Sequence, residues 1–172
     1  MPTPCRKQDP SAVEALAAHV DYECRAFADK QREIRSWTEF APSDQESVKR
    51  ASVYEMWLVH LRSLVAFFRT QQVHGDEVLA CHFMDDPAQW ARDHETELQL
   101  SEVERERVDR INHLVAHITY ERPKLPSDFG PEDHEMVMKR LRIFYAELPE
   151  RHKARFPAVA REVLAPPLAP QG

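Results

Sequence analysis

Apolar side chains recur three and four positions apart along most of this chain, the spacing that lines one face of an α-helix. Val13, Leu16, Ala17, Val20, Cys24 and Phe27 follow it behind Asp9 and Pro10, a capping residue and a proline at the first helical position. A long first helix is therefore expected to run towards Phe40, where Ala41 and Pro42 break it. Ser43 and Glu46 have capping-box spacing, in which each side chain satisfies the other residue's backbone N–H, and they open a second helix that should end near Gln72. Its apolar positions Val53, Met56, Trp57, Leu61, Leu64, Val65, Phe67 and Phe68 cover a wider arc than a helix lying on a surface shows. That marks the central core helix.

His74, Gly75 and Asp76 read as a turn, and Val78, Leu79, His82 and Phe83 as a short helix. Asp85, Asp86 and Pro87 end it. A cap before a helix-starting proline explains the two aspartates more simply than metal ligation with His82. A further short helical piece is expected around Trp90. Ser101 and Glu104 form a second capping box, opening a helix whose stripe of Val108, Ile111, Leu114, Val115 and Ile118 faces a core and which Pro123 stops. After the break from Pro123 to Pro131, Val137, Met138, Leu141, Phe144, Tyr145 and Leu148 outline another helix ended by Pro149, with a last, weaker one running to Leu164. The expected fold is all-α, a single helical bundle of about four to six helices with the Ser101 helix packed against the second. Residues 1–8 read as a flexible N-terminus, 9–164 as the all-helical domain and 165–172 as a disordered Pro-rich tail.

Length and composition narrow this further. A chain of 172 residues can bury one sizeable core, and only three glycines leave little material for tight hairpins. The net charge of −6 provides no global attraction to nucleic acid or anionic membrane, so RNA binding has to be argued from a local face. Three widely spaced cysteines, Cys5, Cys24 and Cys81, fall outside any CxxC pattern and indicate neither a disulfide framework nor a structural zinc site; a reducing cytoplasm fits best. The start lacks an apolar signal core, and no run approaches the roughly 20 apolar residues that span a membrane.

The segment from Arg110 to His117 carries the candidate chemistry. At about 100° per residue, Arg110 and His117 point within about 20° of each other and His113 falls about 60° from Arg110. Glu106 shares that face, which lies beside the apolar stripe. An imidazole near neutral pKa moves protons, and a guanidinium holds phosphate in fork geometry and stabilises charge developing during its transfer. Together they are chemically sufficient to cleave RNA without a metal: the imidazole would help activate the ribose 2′-OH or protonate the leaving oxygen. A solvated face with His117 packed at its rim is the simpler alternative.

An Arg, six intervening residues and a His on one helix of an all-helical chain resembles the HEPN superfamily. The resemblance implies a bacterial protein that acts on or binds RNA, many members of the superfamily being metal-independent ribonucleases of toxin–antitoxin or phage-defence systems. It would act as a homodimer that faces its motifs across the interface, with a cognate antitoxin or other protein as a further partner. Arg110 and His117 would be the catalytic pair, and Asn112, His113, Thr119, Tyr120, Arg122 and Arg62 would support the site or bind substrate. Where the commonest form of the motif has a polar residue after the Arg, Ile111 stands here. Asn112 points about 160° from Arg110 and would serve structure.

His60 falls inside the apolar arc of the second helix and needs a partner there. One reading is a core histidine whose ring meets a carbonyl or a carboxylate. The other is a metal ligand: His113 and His117 are four apart, and His60 would supply a third imidazole from the facing helix. Such a three-histidine site resembles the DinB and YfiT superfamily and implies a divalent metal such as zinc or nickel, whereas the ribonuclease reading needs no cofactor. Arg62 and Arg69 project from the polar side of that helix, as an extended phosphate path or as solvated or ion-paired arginines. A non-catalytic helical interaction module is the third reading.

Overall fold

The computed structural model describes residues 3–4, 8–37, 44–72, 77–116 and 130–165, without the side chains of 3–4, 10, 44–47, 72 and 113–116. Among these the protein is all-α. Four long helices, α1 (Pro10–Arg35), α2 (Asp44–Phe67), α5 (Glu102–Ala116) and α6 (Pro131–Glu147), carry the bundle. Four short ones, α3 (Pro87–Asp93), α4 (Glu95–Leu98), α7 (Glu150–Lys153) and α8 (Pro157–Leu164), accompany them. A 3₁₀ turn, Ala80–Phe83, occupies the place of the short helix expected after the His74 turn. No described helix is long and apolar enough to cross a membrane.

Local signals set most of the helix starts. Asp9 Oδ1 accepts the Ser11 N–H at 2.9 Å, capping α1 ahead of Pro10. Asp86 Oδ1 does the same for the Gln89 N–H at 2.9 Å ahead of Pro87, the capping role expected for that aspartate pair. At α5 the box is reciprocal: Glu104 N–H donates to Ser101 Oγ at 3.2 Å and Ser101 N–H to Glu104 Oε2 at 2.8 Å. The expected box from Ser43 to Glu46 lies outside the described side chains.

Two ends fall earlier than the periodicity indicates. α1 stops at Arg35 rather than near Phe40, because Ser36 turns both its N–H and its hydroxyl back onto the last carbonyls, the hydroxyl donating to Glu33 at 2.7 Å. α2 stops at Phe67 rather than near Gln72. Its final turn tightens, Arg69 N–H reaching the Ala66 carbonyl at 3.2 Å, and Gln71–Gln72 then pair antiparallel with Thr3–Pro4 in a two-residue ladder.

α2 is the central helix, packed by α1, α5 and α6, with α8 lying across α1 and α6. Trp57, Leu58, Leu61, Leu64 and Phe68 are each at most 1% exposed. Met56 and Val59 are exposed, so the apolar arc exceeds the buried one. Phe67, Phe83, Phe144 and Phe156 meet edge-to-face, with centroids 5.3 Å apart for Phe67 and Phe144 and 5.2 Å for Phe83 and Phe156. Each such pair contributes about 0.5–1.5 kcal/mol beyond its area burial. This joins α2, the 3₁₀ turn, α6 and the start of α8.

Buried ionic groups tie α6 to α5 and to the end of α4. Arg140 is 1% exposed and donates to the carbonyls of Leu98 (3.1 Å), Gln99 (3.1 Å) and Met136 (2.8 Å) and to both carboxylate oxygens of Glu104 at 3.1 Å. Burial raises the Glu104 carboxyl, but the Arg140 and Ser101 hydrogen bonds outweigh it and hold that carboxyl below its usual range.

Cys24 is a free, buried thiol. Cys81 is disulfide-bonded, which the cysteine count and spacing did not signal. Because disulfides persist in oxidising surroundings, this removes the cysteine-based argument for a reducing compartment.

Candidate functional site

α5 presents the face on which the candidate motif begins. Its reciprocal cap sets the start, and Glu102 and Glu104 in the first turn suit the positive end of the helix dipole. Val108 is 6% and Ile111 0% exposed, seated against the core, whereas Arg105, Glu106, Asp109 and Arg110 are exposed. The helix is therefore rotated as the apolar stripe predicts, and Arg110 stands on its open side. It interacts there with a neighbouring group. Asn112 is half-buried, its Oδ1 inaccessible and without a hydrogen-bond partner among the described residues, so it lies away from the open Arg110 face.

The remaining motif residues are only partly placed. His113 lies within α5, but its side chain is outside the described residues. His117, Thr119, Tyr120 and Arg122 fall in 117–129, also outside them. Arg62 is exposed on α2, and Arg69 pairs with Glu77 at 3.3 Å, an ion pair rather than an open cation.

His60 is 8% exposed, and its Nδ1 lies 2.9 Å from Glu23 Oε2 on α1. Tyr22 meets the ring edge-on, with centroids 6.1 Å apart. This is the core histidine with a carboxylate partner, one of the two readings its position allowed. The Glu23 carboxylate also approaches the exposed His19, Oε1 to Nε2 at 3.9 Å. No group of three or more His, Cys, Asp or Glu among the described residues is placed to hold a metal. The described side chains thus do not assemble a metal centre around His60, while His113 and His117 lie outside that statement.

A second polar cluster went unrecognised in the sequence. Gln31 of α1 is 4% exposed, and its Oε1 has no hydrogen-bond partner among the described residues. His134 of α6 stacks on Phe27, with centroids 5.3 Å apart and an interplanar angle of 10°. Burial, reinforced by the positive charge of Arg35, pushes the His134 imidazole down to about 4. It is neutral near pH 7. Both residues line a cavity of about 270 Å³ between α1, α6 and α8. Its only local signal is a polar residue on a helix face that turns inward, which no spacing rule distinguishes from a solvated one.

No family model, curated relative or solved structure matches this chain.

Proposed function

We propose that the protein binds or cleaves RNA as a HEPN-like helical protein, with Arg110 and His117 meeting the scissile phosphate. The observation that supports this reading is the orientation of α5: Arg110 is exposed beside a stripe, Val108 and Ile111, that is buried. A motif arginine turned into the core would have removed the reading. His117, about two turns further along the same ideal helix, would share that open face.

The proposed reaction needs no metal. An imidazole nitrogen of His117 takes the proton from a ribose 2′-OH, and O2′ attacks the neighbouring phosphorus. Arg110 holds the non-bridging oxygens as negative charge grows on them. The bond from phosphorus to the 5′ oxygen breaks, and a protonated imidazole, His113 or the same histidine of a second copy, gives that oxygen its proton. The products are a 2′,3′-cyclic phosphate and a 5′-hydroxyl. His113, Thr119, Tyr120, Arg122 and Arg62 serve as substrate contacts, and Asn112 has a structural role. A homodimer regulated by a cognate antitoxin, in a toxin–antitoxin or phage-defence system, is the setting this chemistry fits.

The test incubates purified protein with cellular RNA in EDTA beside folded Arg110→Ala and His117→Ala variants. Cleavage by the wild type alone, leaving cyclic phosphate ends, is the expected result. Cleavage unchanged in both variants removes the proposed pair. RNA retention without cleavage leaves binding as the function, and neither cleavage nor retention overturns the reading.

A further inference from the structure

The cavity between α1, α6 and α8 combines a small apolar floor with polar atoms that no described residue engages. Ala28 and Met138 supply the floor and are 2% and 5% exposed. Gln31 Oε1 is buried without a partner among the described residues, a costly arrangement unless something else donates to it. His134 lies flat against Phe27, and no described residue hydrogen-bonds to its two ring nitrogens.

The charges of the lining do not cancel. Arg32, Arg35 and Arg142 face Glu135 and Glu162, and just outside the lining Asp29 on Arg32 and Arg161 on Glu162 add one charge of each sign, which leaves an excess of one positive charge. Arg32 is held by Asp29 at 2.5 Å and by Glu162 at 2.9 Å, and Arg142 is paired with Glu135. Arg35, half-buried at the end of α1, is engaged by no carboxylate among the described residues. Among the described residues, one guanidinium fork is therefore open beside an amide oxygen without a partner.

We infer that this cavity binds a small organic monocarboxylate carrying its own N–H or O–H donor, the carboxylate on Arg35 and the donor on Gln31 Oε1, with its apolar part on Ala28 and Met138. One excess charge matches a single anion, whereas a phosphoryl dianion would bring one negative charge more than the lining compensates. The neutral His134 ring adds one donor and one acceptor without adding charge. A volume of about 270 Å³ lies just below the roughly 300–1,000 Å³ usual for ligand pockets, so the ligand is compact. The site shares no residue with the Arg110 face and stands independently of the RNA reading.

The test titrates the full chain with N-acetylglycine, with its neutral amide and with inorganic phosphate, followed by calorimetry and by amide chemical shifts. Arg35→Met and Gln31→Leu are titrated alongside, and the thermal midpoints of all three unliganded proteins are compared. The expected result is saturable millimolar or tighter binding of N-acetylglycine alone, weakened about tenfold or more in each variant. Gln31→Leu, which removes an unsatisfied buried acceptor, should keep or raise the unliganded midpoint while losing the ligand. No saturable response to N-acetylglycine, an equal response in both variants, tighter binding of phosphate, or a lowered midpoint in Gln31→Leu would each overturn the inference.

Discussion

Arg107 on α5 grips Asp133 on α6 through two parallel hydrogen bonds, Nε to Oδ1 at 2.7 Å and Nη2 to Oδ2 at 2.8 Å. Asp133 is 1% exposed, while the Arg107 side chain is 28% exposed. The carboxylate is thus the member that depends on its partner, helped among the described residues by the Gly130 N–H at 2.8 Å.

That asymmetry predicts unequal mutants. Arg107→Met strands a buried carboxylate and should cost about 3 kcal/mol. Asp133→Asn leaves Arg107 able to reach water and keeps an acceptor for Gly130, so about 1–2 kcal/mol is expected. Urea denaturation of both variants checks the order, and equal losses would contradict it.

His134 makes stability pH-dependent. Its ordinary value is 6.5, and burial, then Arg35, pushes it down to about 4. Between these values the unfolded chain binds a proton that the folded chain does not, so stability falls as pH drops through that window. From about pH 7 to pH 5 the loss assigned to this group is about 2 kcal/mol. His134→Phe keeps an aromatic ring on Phe27 and should flatten the slope by that amount. His82 and His152, both also lowered by burial, supply a residual slope of the same sign.

The N-terminus of α8 is capped from a distant part of the chain. Phe156, at its N-cap, makes no side-chain bond, and Asp21 Oδ1 on α1 instead accepts the N–H groups of Ala158 at 2.8 Å and Val159 at 3.1 Å. Asp21→Ala should cost about 1 kcal/mol and Asp21→Asn less. Hydrogen exchange should accelerate first at Ala158 and Val159; unchanged exchange there would show that the cap is not needed.

Cys24 should be chemically silent in the folded protein. It is 0% exposed, and burial, with Glu162 and Asp21 adding, pushes its thiol up to about 12. Labelling by a thiol reagent, read by mass spectrometry, should appear only as urea opens the bundle. Peptide mapping without reductant should find Cys81 bonded, and its reduction should lower stability by about 2–4 kcal/mol. A freely labelled Cys81 would contradict the bond.

The candidate site was legible only in part. Arg110 is placed on the open face because Val108 and Ile111, two positions before it and one after, carry an apolar stripe that only a core can accept. His60 was flagged by its place in an apolar arc, but its partner Glu23 lies on another helix and outside any spacing rule. Gln31 and His134 gave no signal, since nothing local marks a polar side chain that another helix will cover.

The sequence by itself determined what acts over one or two turns: the capped starts at Asp9, Asp86 and Ser101, the stop at Pro149 and the buried faces of α2, α5 and α6. Those contacts join residues at most four positions apart, so the backbone supplies their geometry. The tertiary structure alone decided that Asp21 caps a helix 137 residues away, that Arg140 gathers the Leu98 and Gln99 carbonyls, and that Gln31 and Arg35 meet His134 around one cavity. Such pairings depend on which faces meet when the apolar stripes are buried together, and that choice is made by packing across the whole bundle.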